Sequence, residues 1–372
     1  MDGNKTKPRV LVAMSGGVDS SLAAVLMVEQ GYDVVGATIK TYNYEDVGGN
    51  DNRDSSCCSL DSINMARSVA NKFNFPHYVF DFSDRFKMEV INEFISEYLA
   101  GHTPNPCVIC NQKIKWEYLI EKAQNIGADY ICTGHYARVR LDNETKRFVI
   151  SKGADGTKDQ SYALYRLTQE SLSRTLFPLA EMTKPEVRIM AEKYGLASAK
   201  KPESYEICFV ADNDYARFIR DSVSKSEKSK LHDGAIVFHG DVIGKHHGYA
   251  FYTIGQRRGL GVSYEKPLYV KGIDAVNNIV EVDVDENLYT IGLIAGRINM
   301  MKYQSIPEEK SFVGKIRYKD VGAACTARQI DYDRIEVIFD KPRRAITSGQ
   351  SIVLYDDDDV VAGGIITGIL QN

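Results

Sequence analysis

An apolar run at 9–14 ends in Ser15-Gly16-Gly17 and gives way to a helical pattern over 18–31. Three more β-rich apolar runs follow at 33–39, 77–82 and 129–133, with helical periodicity near 60–74, 84–100 and 111–126 between them. Short strands alternating with helices of that length predict an α/β, doubly wound parallel sheet. Ligands on such sheets sit beyond the carboxyl ends of the strands, where Gly16-Gly17 and Thr133-Gly134-His135 both fall.

The pattern changes near residue 200. Lys200-Lys201-Pro202 reads as a boundary, followed by a mixed segment dense in Gly and His. From about 268, short strands at 269–274, 279–284, 335–339 and 352–355 are separated by turn signals such as Asn277-Asn278 and Ser348-Gly349. They predict a small antiparallel β-barrel. The expected division is therefore 1–203, 204–266 and 267–372. The acidic run Asp356-Asp357-Asp358-Asp359 reads as a solvated hairpin tip.

At 372 residues the chain has room for two or three cores. No stretch approaches the roughly 18 apolar residues that span a bilayer, and the first apolar run is too short for a signal-peptide core. The expectation is a soluble, cytoplasmic protein. A net charge of −4 argues only weakly against nucleic acid, because whole-chain charge averages away a local basic surface. Seven cysteines without an export signal favour free thiols, redox chemistry or metal over a disulfide framework.

Ala13-Met14-Ser15-Gly16-Gly17-Val18-Asp19-Ser20 joins a strand to a helix. Adjacent glycines let backbone N–H groups approach an anion, and the helix N-terminus adds a favourable dipole. Ser15, Ser20 and Ser21 are hydroxyl donors for phosphate oxygens. No Lys follows the glycines, so the loop is not the type that grips a transferred γ-phosphate. Asp19 is the candidate for holding Mg²⁺ on leaving pyrophosphate. The string resembles the ATP pyrophosphatase superfamily, which cleaves ATP between the α and β phosphates. That specifies adenylation, not its substrate.

Cys107-Val108-Ile109-Cys110 follows Thr103-Pro104-Asn105-Pro106. The prolines set an extended approach, and a helix is expected from Asn111. Cys110 would then lie at a helix N-terminus with Lys113 and Lys115 nearby, features that lower a thiol pKa. The competing reading, half of a structural zinc site, needs a second pair, and Cys57-Cys58 is adjacent rather than spaced by two. Cys132 and Cys325 sit in apolar strand contexts as small core residues. His246-His247 is left unassigned. Arg257-Arg258, between glycines in a loop, favours RNA backbone contact over an ordinary solvated surface.

Taken in order, Ser15–Ser20, Thr103-Pro-Asn-Pro106, Cys110-Asn-x-x-Ile-Lys115, Thr133-Gly-His-Tyr136, Lys158-Asp-Gln-Ser-Tyr162, Ile207-Cys-Phe209, Thr253–Gly261, Arg317-Tyr318 and Gly349-Gln-Ser351 resemble the bacterial and organellar tRNA-specific 2-thiouridylases over almost the whole chain. The resemblance implies an adenine-nucleotide α-hydrolase-like domain, a small central domain and a C-terminal β-barrel. It implies ATP-dependent 2-thiolation of the wobble uridine in tRNAs of the lysine, glutamate and glutamine type. Cys208 would accept a persulfide and Cys110 would release its sulfur. Ile39, matching a family Met, and Gly134 would join residues 13–20 at ATP. Asn105, Pro106 and Cys107 would meet the target base, flipped out of its stack. His135, Lys158, Asp159, Gln160, Arg317, Tyr318 and Gln350 would contact tRNA. The implied sulfur source is a cysteine desulfurase or a relay protein.

Many family members carry Asp at the position of Cys107. The thiol adds a third sulfur to Cys110 and Cys208, and three thiolates with one open iron position match a four-iron four-sulfur cluster. Such an iron-sulfur cluster is the alternative sulfur mechanism. Other adenylating enzymes, such as glutamine-dependent synthetases, would need an amidotransferase segment that is not found. A non-enzymatic RNA-binding or sulfur-carrier module is opposed by the intact Ser15, Asp19 and Ser20.

Overall fold

The apolar runs become strands β1 (Arg9–Ala13), β2 (Asp33–Lys40), β3 (His77–Asp81) and β4 (Tyr130–Cys132) in a computed structural model. It describes residues 7–42, 60–201, 207–210, 212, 214–228, 231–308 and 310–370. Cys57-Cys58 and the boundary near 203 lie outside the described residues. The chain divides into two compact units: residues 1–90, 107–213 and 358–360, and residues 91–106, 214–357 and 361–372.

The first unit holds a parallel sheet. With β5 (Ala137–Leu141), β6 (Phe148–Lys152) and β7 (Thr175–Leu176) numbered in turn, its order is β3-β2-β1-β4-β7. Val10, Leu11 and Val12 of central β1 are fully buried, as expected for a strand covered on both faces. Helix α1 (Val18–Glu29) buries Leu22, Ala23, Ala24 and Val25 completely. It is apolar nearly all round because it packs both on the sheet and against the helix Lys184–Lys193. Helix α2 (Leu60–Lys72) is ordinary by contrast, with Ile63, Ala66, Val69 and Ala70 on its buried stripe. The antiparallel hairpin β5–β6 was not anticipated. Its turn is closed by Asp142, which accepts from the backbone and hydroxyl of Thr145.

The second unit contains two β structures. One is a four-stranded sheet of order β10-β11-β8-β9, formed by β8 (Gly234–Phe238), β9 (Asp241–His246), β10 (Tyr269–Asp274) and β11 (Ile279–Asp283). The other uses β12 (Tyr289–Met300), β13 (Ser311–Lys315), β14 (Ala323–Gln329), β15 (Ile335–Arg344), β16 (Ser351–Asp356) and β17 (Asp359–Leu370). It runs β12-β15-β14-β13-β16-β17 and closes through β12–β17 pairing. Leu293, Val337, Phe339, Ile352 and Leu354 fill the barrel.

Two expectations are corrected. Strands 269–274 and 279–284 do not belong to the barrel, because β11 pairs in parallel with β8 and the turn Asp285–Leu288 separates it from β12. The acidic run is not simply a solvated tip. Lys302, Tyr303 and Lys310 all bond Asp356, and against the raising effect of its burial they hold its pKa at about 2. Asp359 is buried and bonded by Arg140 and Ser151, which leaves Asp357 and Asp358 as the turn. No helix among the described residues is long and apolar enough to cross a membrane.

Candidate active site

The carboxyl ends of β2, β1 and β4 lie side by side, and strand order reverses direction at β1. This switch point is where doubly wound sheets bind nucleotides. Ile39 lies near the end of β2, residues 14–17 follow β1, and Gly134 follows β4. The loop is folded on itself. Ser20 Oγ accepts from Ser15 N at 3.0 Å and donates to Gly17 O at 3.3 Å, with Ser15 Oγ 3.2 Å away. Gly16 has φ +70°, and a Cβ there would lie 2.2 Å from Ser62 O. A Cβ on Gly134 would lie 2.7 Å from Asp19 C and 2.8 Å from Ser20 N. Both glycines are therefore required for close packing of the loop.

The start of α1 suits an anion. Gly17 is its N-cap, and no side chain caps its first N–H groups. Ser21 Oγ, fully buried, has no partner among the described residues. These donors fit the phosphates of ATP.

Two residues not singled out from the sequence complete the site. Lys184 Nζ bonds both carboxylate oxygens of Asp19 at 2.7 Å, and Tyr136 Oη donates to Asp19 Oδ1 at 2.7 Å. Lys184 is 7% exposed and is the first residue of the helix Lys184–Lys193. That start is held by Thr183, whose N–H donates to Glu186, and by Asp155, which accepts from Lys184 N. The capping pattern Thr183-Lys-Pro-Glu186 is legible in sequence; its meeting with Asp19 is not. With both oxygens engaged by an ammonium, Asp19 does not offer a bare carboxylate to Mg²⁺. Among the described residues no three His, Cys, Asp or Glu side chains converge as a metal-holding group. Cys107, Cys110 and Cys208 thus form no ligand set for an iron-sulfur cluster here.

The thiols are placed differently from expectation. The helical run starts at Pro106, not Asn111: Pro106–Ile109 is α-helical and Cys110–Tyr118 continues it as a π-helix. Cys110 therefore lies one turn inside, and Cys107 is the thiol near the N-terminus. Proline tolerates the first turn because its missing N–H is not needed there. Cys107 is exposed, yet the surrounding protein desolvates its thiol and raises the pKa, with Lys115 opposing. Cys208 is exposed in a turn whose carbonyl accepts from Tyr42 Oη at 2.8 Å. The adjoining Phe209 is buried edge-on against Phe86. The backbone at 208 is thus anchored while the residue itself stays exposed. Among the described residues Cys107, Cys110, Cys132, Cys208 and Cys325 form no disulfide, and burial pushes up the thiol pKa values of the core residues Cys132 and Cys325.

The residues implied for tRNA contact divide. Arg317 and Tyr318 are exposed, and Lys158 is half-buried. His135 is 8% exposed, shares a 2.7 Å hydrogen bond with Thr133 and packs against Trp116 and Phe177. Desolvation and then Lys115 drive its pKa well below the ordinary value, so it is neutral. The His135 side chain thus lies in the interior of this structure. Asp159 accepts from Ser161 N and Oγ, and Gln160 accepts from Tyr136 N, so the Gln160 side chain buttresses the Tyr136 that holds Asp19. Gln350 Nε2 donates to Thr103 O at 2.8 Å. Of the unassigned pair, His246 is buried with Nε2 near Asn278 O, and His247 meets Asp233.

A parallel sheet with a glycine phosphate cradle at its switch point defines an ATP-binding protein of the pyrophosphate-loop class. The chain belongs to the tRNA-specific 2-thiouridylase family. Residues 8–212 match the profile described as a tRNA methyl transferase HUP domain, 220–283 its PRC-barrel domain, and 290–366 an aminomethyltransferase β-barrel domain. The chain is 51% identical to the tRNA-specific 2-thiouridylase MnmA of Salinibacter ruber over 97% of its own length and 94% of the relative's. It is 47% identical to that of Cytophaga hutchinsonii, covering 97% of each chain. Identity to that of Clostridioides difficile is 45%, over 96% and 98%.

Proposed function

We propose that this chain uses ATP to replace the C2 oxygen of the wobble uridine in tRNA with sulfur. The observation that carries the reading is the uncapped start of α1 beside the Asp19–Lys184 pair, in a chain similar throughout to 2-thiouridylases. The uridine O2 attacks the α-phosphate, and pyrophosphate leaves against the α1 N–H groups and Lys184. Any Mg²⁺ enters on the nucleotide's own phosphates. Adenylation is needed because a urea-like carbonyl is a poor electrophile. The terminal sulfur of a Cys208 persulfide then attacks C2 and AMP departs. Cys110 thiolate attacks Cys208 Sγ, breaking the S–S bond to leave thiouridine and a Cys110–Cys208 disulfide, which an external thiol reduces. Cys110 freeing hydrosulfide instead is the variant of this step.

Asn105, Pro106 and Cys107 are assigned to the target base, and Lys158, Arg317 and Tyr318 to the rest of the tRNA. A cysteine desulfurase or relay protein supplies the persulfide, and the site of action is the cytoplasm. The division near 203/204 is kept as the working scheme, and the boundary at 266/267 moves to the segment after β11, because β10 and β11 join the sheet of β8 and β9 rather than the barrel. ATP–pyrophosphate exchange stimulated by unmodified tRNA tests the reading; exchange indifferent to tRNA would point to another adenylating enzyme.

Two further outcomes are expected. Cys107 alkylates slowly at pH 7 and speeds up only as pH rises above the ordinary thiol range, since desolvation by the surrounding protein disfavours its thiolate. Lys115→Gln moves that rise to still higher pH, because Lys115 opposes the shift; peptide mass spectrometry across pH reads both. Replacing exposed Arg257 and Arg258 together with Gln weakens tRNA binding. It lowers the slope of log affinity against log salt by about 1.4–1.8 if both meet phosphates.

A further inference from the structure

Within the first unit, the peptide that carries the chain from β1 into the phosphate loop is gripped at both ends. Its carbonyl, Met14 O, accepts from Thr38 Oγ1 at 2.8 Å, and its N–H, on Ser15, donates to Ser20 Oγ at 3.0 Å. Met14 N also donates to Ala37 O at 2.7 Å, so Met14 is bound to β2 through both of its backbone groups. Gly36, which shares a face of β2 with Thr38, makes room for this contact. A Cβ there would lie 2.8 Å from Met14 Sδ and 3.1 Å from His77 Cδ2. Met14 is buried, and Thr38 is fully so.

His77 of β3 fixes the direction of the Thr38 hydroxyl. Its Nε2 lies 2.9 Å from Thr38 Oγ1. A hydroxyl has one hydrogen, and Thr38 gives it to Met14 O, so His77 Nε2 is the donor. The ring is then the Nε2–H tautomer with a bare Nδ1, and that Nδ1 is buried with no partner among the described residues. Desolvation, and after it the Arg67 charge, lower the His77 pKa, which agrees with a neutral ring. One relay therefore crosses three strands: His77 on β3, Thr38 on β2, and the Met14 carbonyl just past β1.

We propose that Thr38, oriented by His77, is a positioning residue for the β and γ phosphates of ATP, acting through the Met14–Ser15 peptide. This rests on the assignment of residues 13–20 to ATP. The loop meets phosphate with N–H groups whose directions follow from the peptide planes leading into them. Without the Thr38 hydroxyl, the buried Met14 carbonyl loses that donor and the peptide entering the loop loses its orientation. In-line displacement tolerates little of this, since a misplacement of about 1 Å can cost about 10²-fold.

The full chain carrying Thr38→Val, a replacement of nearly the same shape, tests this. ATP affinity falls about tenfold and tRNA-dependent pyrophosphate exchange about 10–100-fold. AMP, which lacks the β and γ phosphates, binds with wild-type affinity. Thr38→Ser keeps the hydroxyl and restores ATP binding. His77→Gln, which offers an N–H in place of Nε2–H, retains ATP affinity, whereas His77→Leu lowers it; that pair decides if Thr38→Val fails to fold. Unchanged ATP affinity in Thr38→Val or His77→Leu would overturn the inference. Equal losses for ATP and AMP would also overturn it, by moving the effect from the phosphates to the nucleoside. Wild-type protein that binds no ATP would instead sink the functional reading. The grip itself is then still read by hydrogen exchange of the peptide covering 9–20, which is faster in Thr38→Val; unchanged exchange there would refute it.

Discussion

Replacing Lys184 with Met lowers tRNA-dependent ATP–pyrophosphate exchange by about 10²–10³, the usual cost of removing one preorganised charge from developing anionic oxygens. Methionine keeps most of the buried stem, so folding survives and the change falls on charge. Asp19 then keeps its bond from Tyr136 but loses the ammonium that neutralises its carboxylate beside the cradle meant for pyrophosphate. The loss appears in kcat and in ATP binding together. Asp19→Asn alone is also damaging, because the buried ammonium of Lys184 loses the carboxylate that neutralises it. In the double variant the effects are less than additive, since the two side chains bond each other. Wild-type exchange by Lys184→Met would remove the pair from the reaction.

Cys208→Ser abolishes thiolation and leaves adenylation intact. The exposed turn around Cys208 is anchored by Tyr42 and by buried Phe209, so serine alters the sulfur and little else. Pyrophosphate exchange with tRNA continues at the wild-type rate, while no 2-thiouridine forms. Cys110→Ser behaves alike at the end point, but a persulfide supplied to it accumulates on Cys208, which mass spectrometry detects as one added sulfur. A Cys208→Ser variant that still thiolates would show that sulfur reaches the base by another route.

The nucleotide half of this site was legible because its signals are local. A buried strand, two glycines and an uncapped helix start are contiguous at 9–20, and the neighbouring strands announce their ends by Gly and polar residues. Lys184 was invisible at the same level: its capping box shows a helix start, but its partner is 165 residues away in sequence. The burial of His135 was hidden for the reverse reason. A histidine after a strand suits an exposed as well as an enclosed position, and the sequence does not show the packing by Trp116 and Phe177. Cys110 was displaced because the prolines read as an extended approach, whereas proline at a first helical turn starts a helix. The barrel was recognised by its turns, yet alternation alone assigns no strand to a sheet, so 269–284 went to the wrong one.

Mass spectrometry of tRNA nucleosides from cells lacking this gene tests the central claim most directly. The account predicts that wobble 2-thiouridine disappears, returns with the wild-type gene, and fails to return with Cys110→Ser, Cys208→Ser or Lys184→Met. Undiminished 2-thiouridine in cells without the gene and without any second thiolase of this kind would contradict it.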